Sequence, residues 1–226
     1  VDKNYHLILL CKNAIGYQNL IKMVTLASSE GFYGKPRVDH ELLSKYHEGL
    51  VCLSACLAGE IPQALLNDDI EKAEETAMFY KTLFGEDFYI ELQDHGIEEQ
   101  RTILPALIRL AKKLNIELVA TNDCHYIEKS DSKMQHAMVC VQTNKHMDDP
   151  NPLEFETEEF YVKSTDEMYD LFAYIPVACA NTVKVAEKCN FDYEFGKTKL
   201  PKYENPMGIS NKDFFVKMCY DGLEKR

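Results

Sequence analysis

Three times along the chain a short apolar run closes on a polar cluster and gives way to a helical pattern: LVCLSAC (50–56), FYIELQDH (88–95) and ELVATNDCHY (117–126). Apolar runs of this length without helical spacing read as buried strands. After the first comes DIEKAEETAMFYKTLFG, with Ile70, Ala73, Ala77, Tyr80 and Phe84 on one stripe and Gly85 as its stop. After the second comes IEEQRTILPALIRLAKKLN, with Ile103, Leu107, Leu110 and Leu114 on one side and Pro105 expected to start or kink it. An earlier strand, HLILL, precedes AIGYQNLIKMVTLASS, a helix with Tyr17, Leu20, Val24 and Leu26 available for packing, and then the loop GFYGKPRVD. Downstream, DDPNPLEFETEE reads as an acidic connection, and STDEMYDLFAYIPVACANTVKVAEKC as one or two helices opened by a Ser164/Glu167 capping box. Strands alternating with helices imply an α/β chain built on a parallel sheet, open or closed into a barrel.

Length and composition narrow the classes. With 226 residues, 46% of them hydrophobic, the chain has material for one large α/β domain or two small ones. No apolar run approaches the roughly 18 residues of a membrane span, and the opening VDKNYHLILLCKN lacks a signal-peptide pattern, so a cytoplasmic location without membrane contact is expected. Cysteines 11, 52, 56, 124, 140, 179, 189 and 219 form no C-x-x-C pair and are expected to be reduced thiols. A formal charge of -12 argues against the surface as a whole being a nucleic-acid track.

In parallel α/β folds the site lies at the C-terminal ends of the strands. That rule selects Cys56, His95, Asp123 and His125, and strand alternation puts Asp123 and His125 on one face. Two imidazoles, a carboxylate and a thiolate are donors for Zn²⁺, Mn²⁺ or Fe. Glu91 shares the face of Gln93 and His95 and is a candidate outer partner, whereas Asp94 should face away. Lys35 and Arg37 are candidate phosphate contacts at the pocket mouth, while His6, His40, His47, His136 and His146 have no matching placement. Each residue alone also fits a structural role: Cys56 as core packing, His95 as a turn cap, Lys35 and Arg37 as solvated loop charges.

The runs GYQNLIKMVTLASSEGFYGKPRVDHELL, GLVCLSACLAGEIPQALL, FYIELQDHGIEEQ, LVATNDCHYIEKSD and LEFETEEFYVKSTDEM together resemble the N-terminal region of the alpha-subunit family of bacterial DNA polymerase III. The resemblance implies a PHP (polymerase and histidinol phosphatase) domain: a distorted, β/α, seven-stranded barrel with parallel strands, here partial and lacking its first strands. It assigns 1–196 to that domain and 197–226 to a linker leading to the polymerase palm. Carried over residue by residue, it makes Cys56, His95, Asp123 and His125 metal ligands. A divalent metal (Zn, Mn, Fe or Mg) is expected for the complete PHP site, weakly bound or absent in this fragment. For the full-length protein the resemblance implies a nucleotidyltransferase, the replicative DNA-directed DNA polymerase, which works on DNA with other replicase subunits such as a sliding clamp and a proofreading subunit. For the PHP site it implies phosphoesterase or 3′–5′ exonuclease chemistry, with no polymerase activity in the fragment itself. Two alternatives are a non-catalytic scaffold that stabilises the polymerase and docks a partner subunit, and a stand-alone phosphatase, which would not need the tail KLPKYENP.

Overall fold

The structure is a computed structural model that describes residues 4–149, 155–198 and 200–226. The chain divides into two compact units, Val1–Phe191 and Asp192–Arg226.

In the first unit the elements run β1 (Ile8–Cys11), α1 (Ala14–Ser29), α2 (His40–Tyr46), β2 (Leu50–Leu53), α3 (Glu60–Leu66), α4 (Ile70–Phe84), β3 (Phe88–Leu92), α5 (Glu98–Leu114), β4 (Glu117–Ala120), α6 (Ser132–Thr143), α7 (Thr165–Leu171) and α8 (Pro176–Lys188). The four strands form one sheet in the order β1-β2-β3-β4. Both faces of the central strands are apolar, which requires helices on both sides. On one face Cys52, Phe88, Ile90, Leu92, Leu118 and Ala120 join the larger core with α4 and α5; on the other, Val51, Leu53, Tyr89 and Val119 meet Val185 of α8. Asn181 of α8 donates to the Leu118 carbonyl at 2.8 Å and fixes that helix on the sheet. Each fully buried large side chain of this interior contributes about 1.5–3 kcal/mol.

The expected all-parallel sheet is corrected to a mixed one: β2, β3 and β4 are parallel, but β1 pairs antiparallel with β2, Ile8 opposite Leu53 and Cys11 opposite Leu50. The connection through α1 and α2 brings the chain back to the end of the sheet where β1 finished, and there the Lys12 amide donates to the Gly49 carbonyl at 2.9 Å. Gly16 at the start of α1 makes this possible, because a Cβ there would lie 1.9 Å from the Gly49 carbonyl oxygen just before β2. Among the described residues the sheet has four strands, not the seven of the implied barrel.

Helix α1 spans the expected run, N-capped by Asn13; Leu20 packs on the core and Tyr17 and Leu26 are half-buried, whereas Val24 is exposed and Met23 and Ala27 are the buried residues. The stripe of α4 is buried except for Ile70, and Gly85 ends it at φ 60°. Pro105 neither starts nor ends α5, which begins seven residues earlier and continues through it. The run 164–189 forms two helices, with the Ser164/Glu167 capping box in place on α7. Residues 150–154 of the acidic connection lie outside the described residues. In the second unit, α9 (Asn211–Glu224) is N-capped by Ser210, which accepts from the Asp213 amide at 3.1 Å; none of its residues is buried.

Candidate metal centre

The strands stop sooner than their apolar runs suggest, so the candidate residues sit on turns beyond them. After β2 the chain bends at Ala55, a non-glycine residue at φ 64°. Its amide donates to Glu91 Oε2 at 3.0 Å, and the loop folds back so tightly that a Cβ on Gly59 would lie 2.2 Å from the Ser54 carbonyl oxygen. The returning loop pairs with the chain entering β1: the His6 amide donates to the Ala58 carbonyl at 2.9 Å. That pairing sets His6 Nδ1 3.5 Å from Cys56 Sγ.

His6 went unselected in the sequence because a rule about C-terminal strand ends passes over a residue that precedes its strand. The antiparallel β1 reverses that logic. With Ile8 opposite Leu53, whatever precedes β1 lies beside whatever follows β2. The signal in the sequence was a histidine two residues ahead of the first strand, and it becomes readable only with that strand's direction.

His95 lies on the turn after β3. After Leu92 the chain turns through Gly96, at φ 77°, and carries the imidazole inward until it is fully buried. Nε2 faces the Asn122 carbonyl at 2.7 Å and Nδ1 faces Gln100 Nε2 at 2.9 Å, so Nε2 bears the proton and Nδ1 accepts. The ring stacks on Phe160 with centroids 4.1 Å apart, and the His95 carbonyl accepts from Thr157 Oγ1 at 2.6 Å. Burial holds its pKa below the usual histidine value, which keeps the ring neutral. Both ring nitrogens are thus engaged, and the ring joins Asn122 in the loop after β4 to Gln100 of α5. Asp94 does face away, toward Arg101 at 3.2 Å.

Asp123 and His125 are brought together, though not by strand alternation. β4 ends at Ala120, and Asp123 has φ 40°, in the left-handed region that disfavours a side chain. Asp123 Oδ1 and His125 Nε2 are 3.5 Å apart, and both side chains are a little over one-third exposed. The His125 amide donates to the Phe160 carbonyl at 2.8 Å, and its ring lies against Phe155, 4.6 Å between centroids.

Between the His6/Cys56 and Asp123/His125 pairs lies buried Glu91. It accepts from the Ala55 amide, from Gln93 Nε2 at 2.8 Å and from the Thr121 hydroxyl, joining the ends of β2, β3 and β4. Burial pushes the Glu91 carboxyl up; the three donors oppose this and the charge of Asp123 adds to it. Burial also raises the Cys56 thiol, opposed by a backbone hydrogen bond from Ala58 and helped by the charges of Asp123 and Glu91. Lys35 and Arg37 line a cleft of about 890 Å³ together with His6, His40 and Glu60. Among the described residues neither forms an ion pair, and the Arg37 guanidinium lies 4.9 Å from the Tyr33 ring centroid.

The donor types suit a divalent cation and their number does not fill its coordination: among the described residues no three His, Cys, Asp or Glu side chains converge closely enough to hold one. Also among the described residues, no helix is long and apolar enough to cross a membrane.

A family model described as "PHP domain" matches residues 1–95. Over 224 residues the chain is 46% identical to DNA polymerase III subunit alpha of Treponema pallidum, covering 98% of this chain and 19% of that protein. The subunit of the same name from Borreliella burgdorferi is 42% identical over 225 residues, covering 99% and 20%. That of Thermus aquaticus is 37% identical over 231 residues, covering 98% and 19%. The chain therefore spans about one-fifth of the length of the curated relatives it matches.

Proposed function

Because the chain belongs to the alpha-subunit family of DNA polymerase III and carries a PHP domain, we propose that it is a segment of a replicative DNA polymerase whose PHP site cleaves phosphoesters with a divalent metal. The observation that supports the second half is that two donor pairs form, His6 with Cys56 and Asp123 with His125, at the loops that follow β2 and β4. What a divalent cation supplies on such donors is a water acidified toward neutrality and relief of charge at phosphorus. The chain's own residues do the rest. Lys35 and Arg37 take the phosphate oxygens in the cleft that His6 lines, and the apolar wall of Leu7, Leu9, Leu20 and Met23 excludes water from the other side. Glu91 holds the three strand ends that present the donors.

In this reading residues 1–196 are the PHP part and 197–226 lead toward the polymerase palm. The replicative DNA, the sliding clamp and the proofreading subunit are partners of the whole polymerase, and the 226-residue chain does not extend primers. The test is release of a 3′-labelled nucleotide from single-stranded DNA with Mn²⁺ or Zn²⁺, together with elemental analysis after dialysis. Metal-dependent release that disappears in His6→Ala and Asp123→Asn supports the reading. Stoichiometric metal without release in the full-length polymerase sinks the cleavage half of it.

A second reading, a scaffold that stabilises the polymerase and docks a partner subunit, is favoured by His95. A ring locked by two hydrogen bonds serves architecture rather than ligation. Full-length polymerase that retains no metal and loses nothing on Asp123→Asn would make this the leading reading.

A further inference from the structure

Residues 155–163 form a strap across the loops that carry His95 and the Asp123/His125 pair. Phe160 stacks on His95 and its carbonyl accepts from the His125 amide; Thr157 donates to the His95 carbonyl; Tyr161 bridges to Tyr126. At the end of the strap stands Lys163, whose side chain is only 5% exposed. Its ammonium donates to Asn122 Oδ1 at 3.2 Å and to the Glu159 carbonyl, stands 3.3 Å from Glu159 Oε2, and lies 4.4 Å from the Tyr161 ring centroid.

Asn122 is gripped at every polar atom beyond its amide. Its side-chain oxygen accepts from Lys163, its Nδ2 donates to the Tyr161 carbonyl, and its main-chain carbonyl accepts from His95 Nε2. The very next residue, Asp123, is the one in the left-handed region. A non-glycine residue stays there only when its surroundings over-determine it, and the clamp on Asn122 is that surrounding. Burying an ammonium is costly unless it is fully engaged, and here its partners are the strap and the loop.

The geometry points to Lys163 as the positioning residue of the Asp123/His125 pair: through Asn122 it holds the loop 121–125 so that the carboxylate and the imidazole face the same point. Its consequence for metal binding rests on the proposed function; the geometric claim does not.

The test compares wild type, Lys163→Met, Lys163→Arg and Asn122→Ala in the 226-residue chain. One readout is the long-range ¹H–¹⁵N imidazole spectrum, with His125 signals assigned through His125→Ala. The other is Co²⁺ titration followed by its visible absorption. Lys163→Met is expected to move or broaden the His125 signals and weaken Co²⁺ binding at least tenfold. Lys163→Arg, which keeps charge and donors, should restore both. Asn122→Ala leaves Lys163 paired with Glu159 and should reproduce the His125 change, so it decides the matter if Lys163→Met does not fold. His125 signals unmoved in both Lys163→Met and Asn122→Ala overturn the inference. Absence of Co²⁺ binding in wild type overturns the metal reading alone, and the imidazole comparison still decides the role of Lys163.

Discussion

His95→Ala separates a metal ligand from a structural pin, because the two roles place the cost in different measurements. The ring makes two hydrogen bonds, to the Asn122 carbonyl and Gln100, and a stacked contact with Phe160. Each hydrogen bond contributes about 1 kcal/mol net, and the stacked pair about 1 kcal/mol more. Truncation also strands the Gln100 amide in a site without solvent, adding about 1 kcal/mol. The expected loss is therefore about 4 kcal/mol, a large share of the stability of a domain this size. Asp123→Ala and His125→Ala, at side chains more than one-third exposed, should each cost under about 1 kcal/mol. The assay is urea unfolding followed by circular dichroism, with metal content measured on the same preparations. If His95→Ala unfolds within about 1 kcal/mol of wild type while metal content falls, the pin argument is refuted and His95 returns to the ligand set.

Four other outcomes follow from the geometry. Cys56→Ser and His6→Ala should each remove the near-ultraviolet thiolate-to-metal absorption or lower the affinity of Co²⁺-loaded chain, while melting temperature changes little. Gly59→Ala should destabilise by about 1–3 kcal/mol, read by thermal melting, because its Cβ would stand 2.2 Å from the Ser54 carbonyl oxygen. Glu167 accepts from Tyr161 OH at 2.6 Å and closes the α7 capping box; the Tyr161 hydrogen bond first, then those of Ser164, lower its pKa to about 2. A depressed carboxyl contributes stability above its unfolded value of 4.5 and loses it as pH falls toward about 2, so Glu167→Gln should flatten the melting-temperature profile across that window. Finally, a primer-extension assay on the purified chain should show no incorporation.

How much of this was legible depended on how local the determining physics is. The helices of 14–29, 70–84 and 98–114 were readable because their stripes and caps lie within a few residues of one another. The direction of β1 was not, because it is set by a Gly16/Gly49 approach across 33 residues, and with it His6 was lost from the site. The strands are shorter than the apolar runs for a related reason: buried Ser54 and Gln93 and half-buried Thr121 follow the last strand residues, and their side chains hydrogen-bond to Glu91, which an apolar pattern does not register. His95 follows from its strand-end position and from the family resemblance, and neither shows that Gln100, five residues on, engages its Nδ1.

The placement of Glu91 ties these points together. Alternation along β3 puts it on the same face as Tyr89, where a side chain must be buried, yet it is a carboxylate among apolar neighbours. An acid there is tolerable only because three donors, one from each of the turns after β2, β3 and β4, converge on it. Those turns carry Cys56, His95 and the Asp123/His125 pair in turn. Replacing Glu91 with an apolar residue of similar volume would satisfy the core and release all three turns at once. The carboxylate thus ties together the turns after β2, β3 and β4, and the three hydrogen bonds it accepts hold Cys56, His95 and the Asp123/His125 pair at the same end of the sheet.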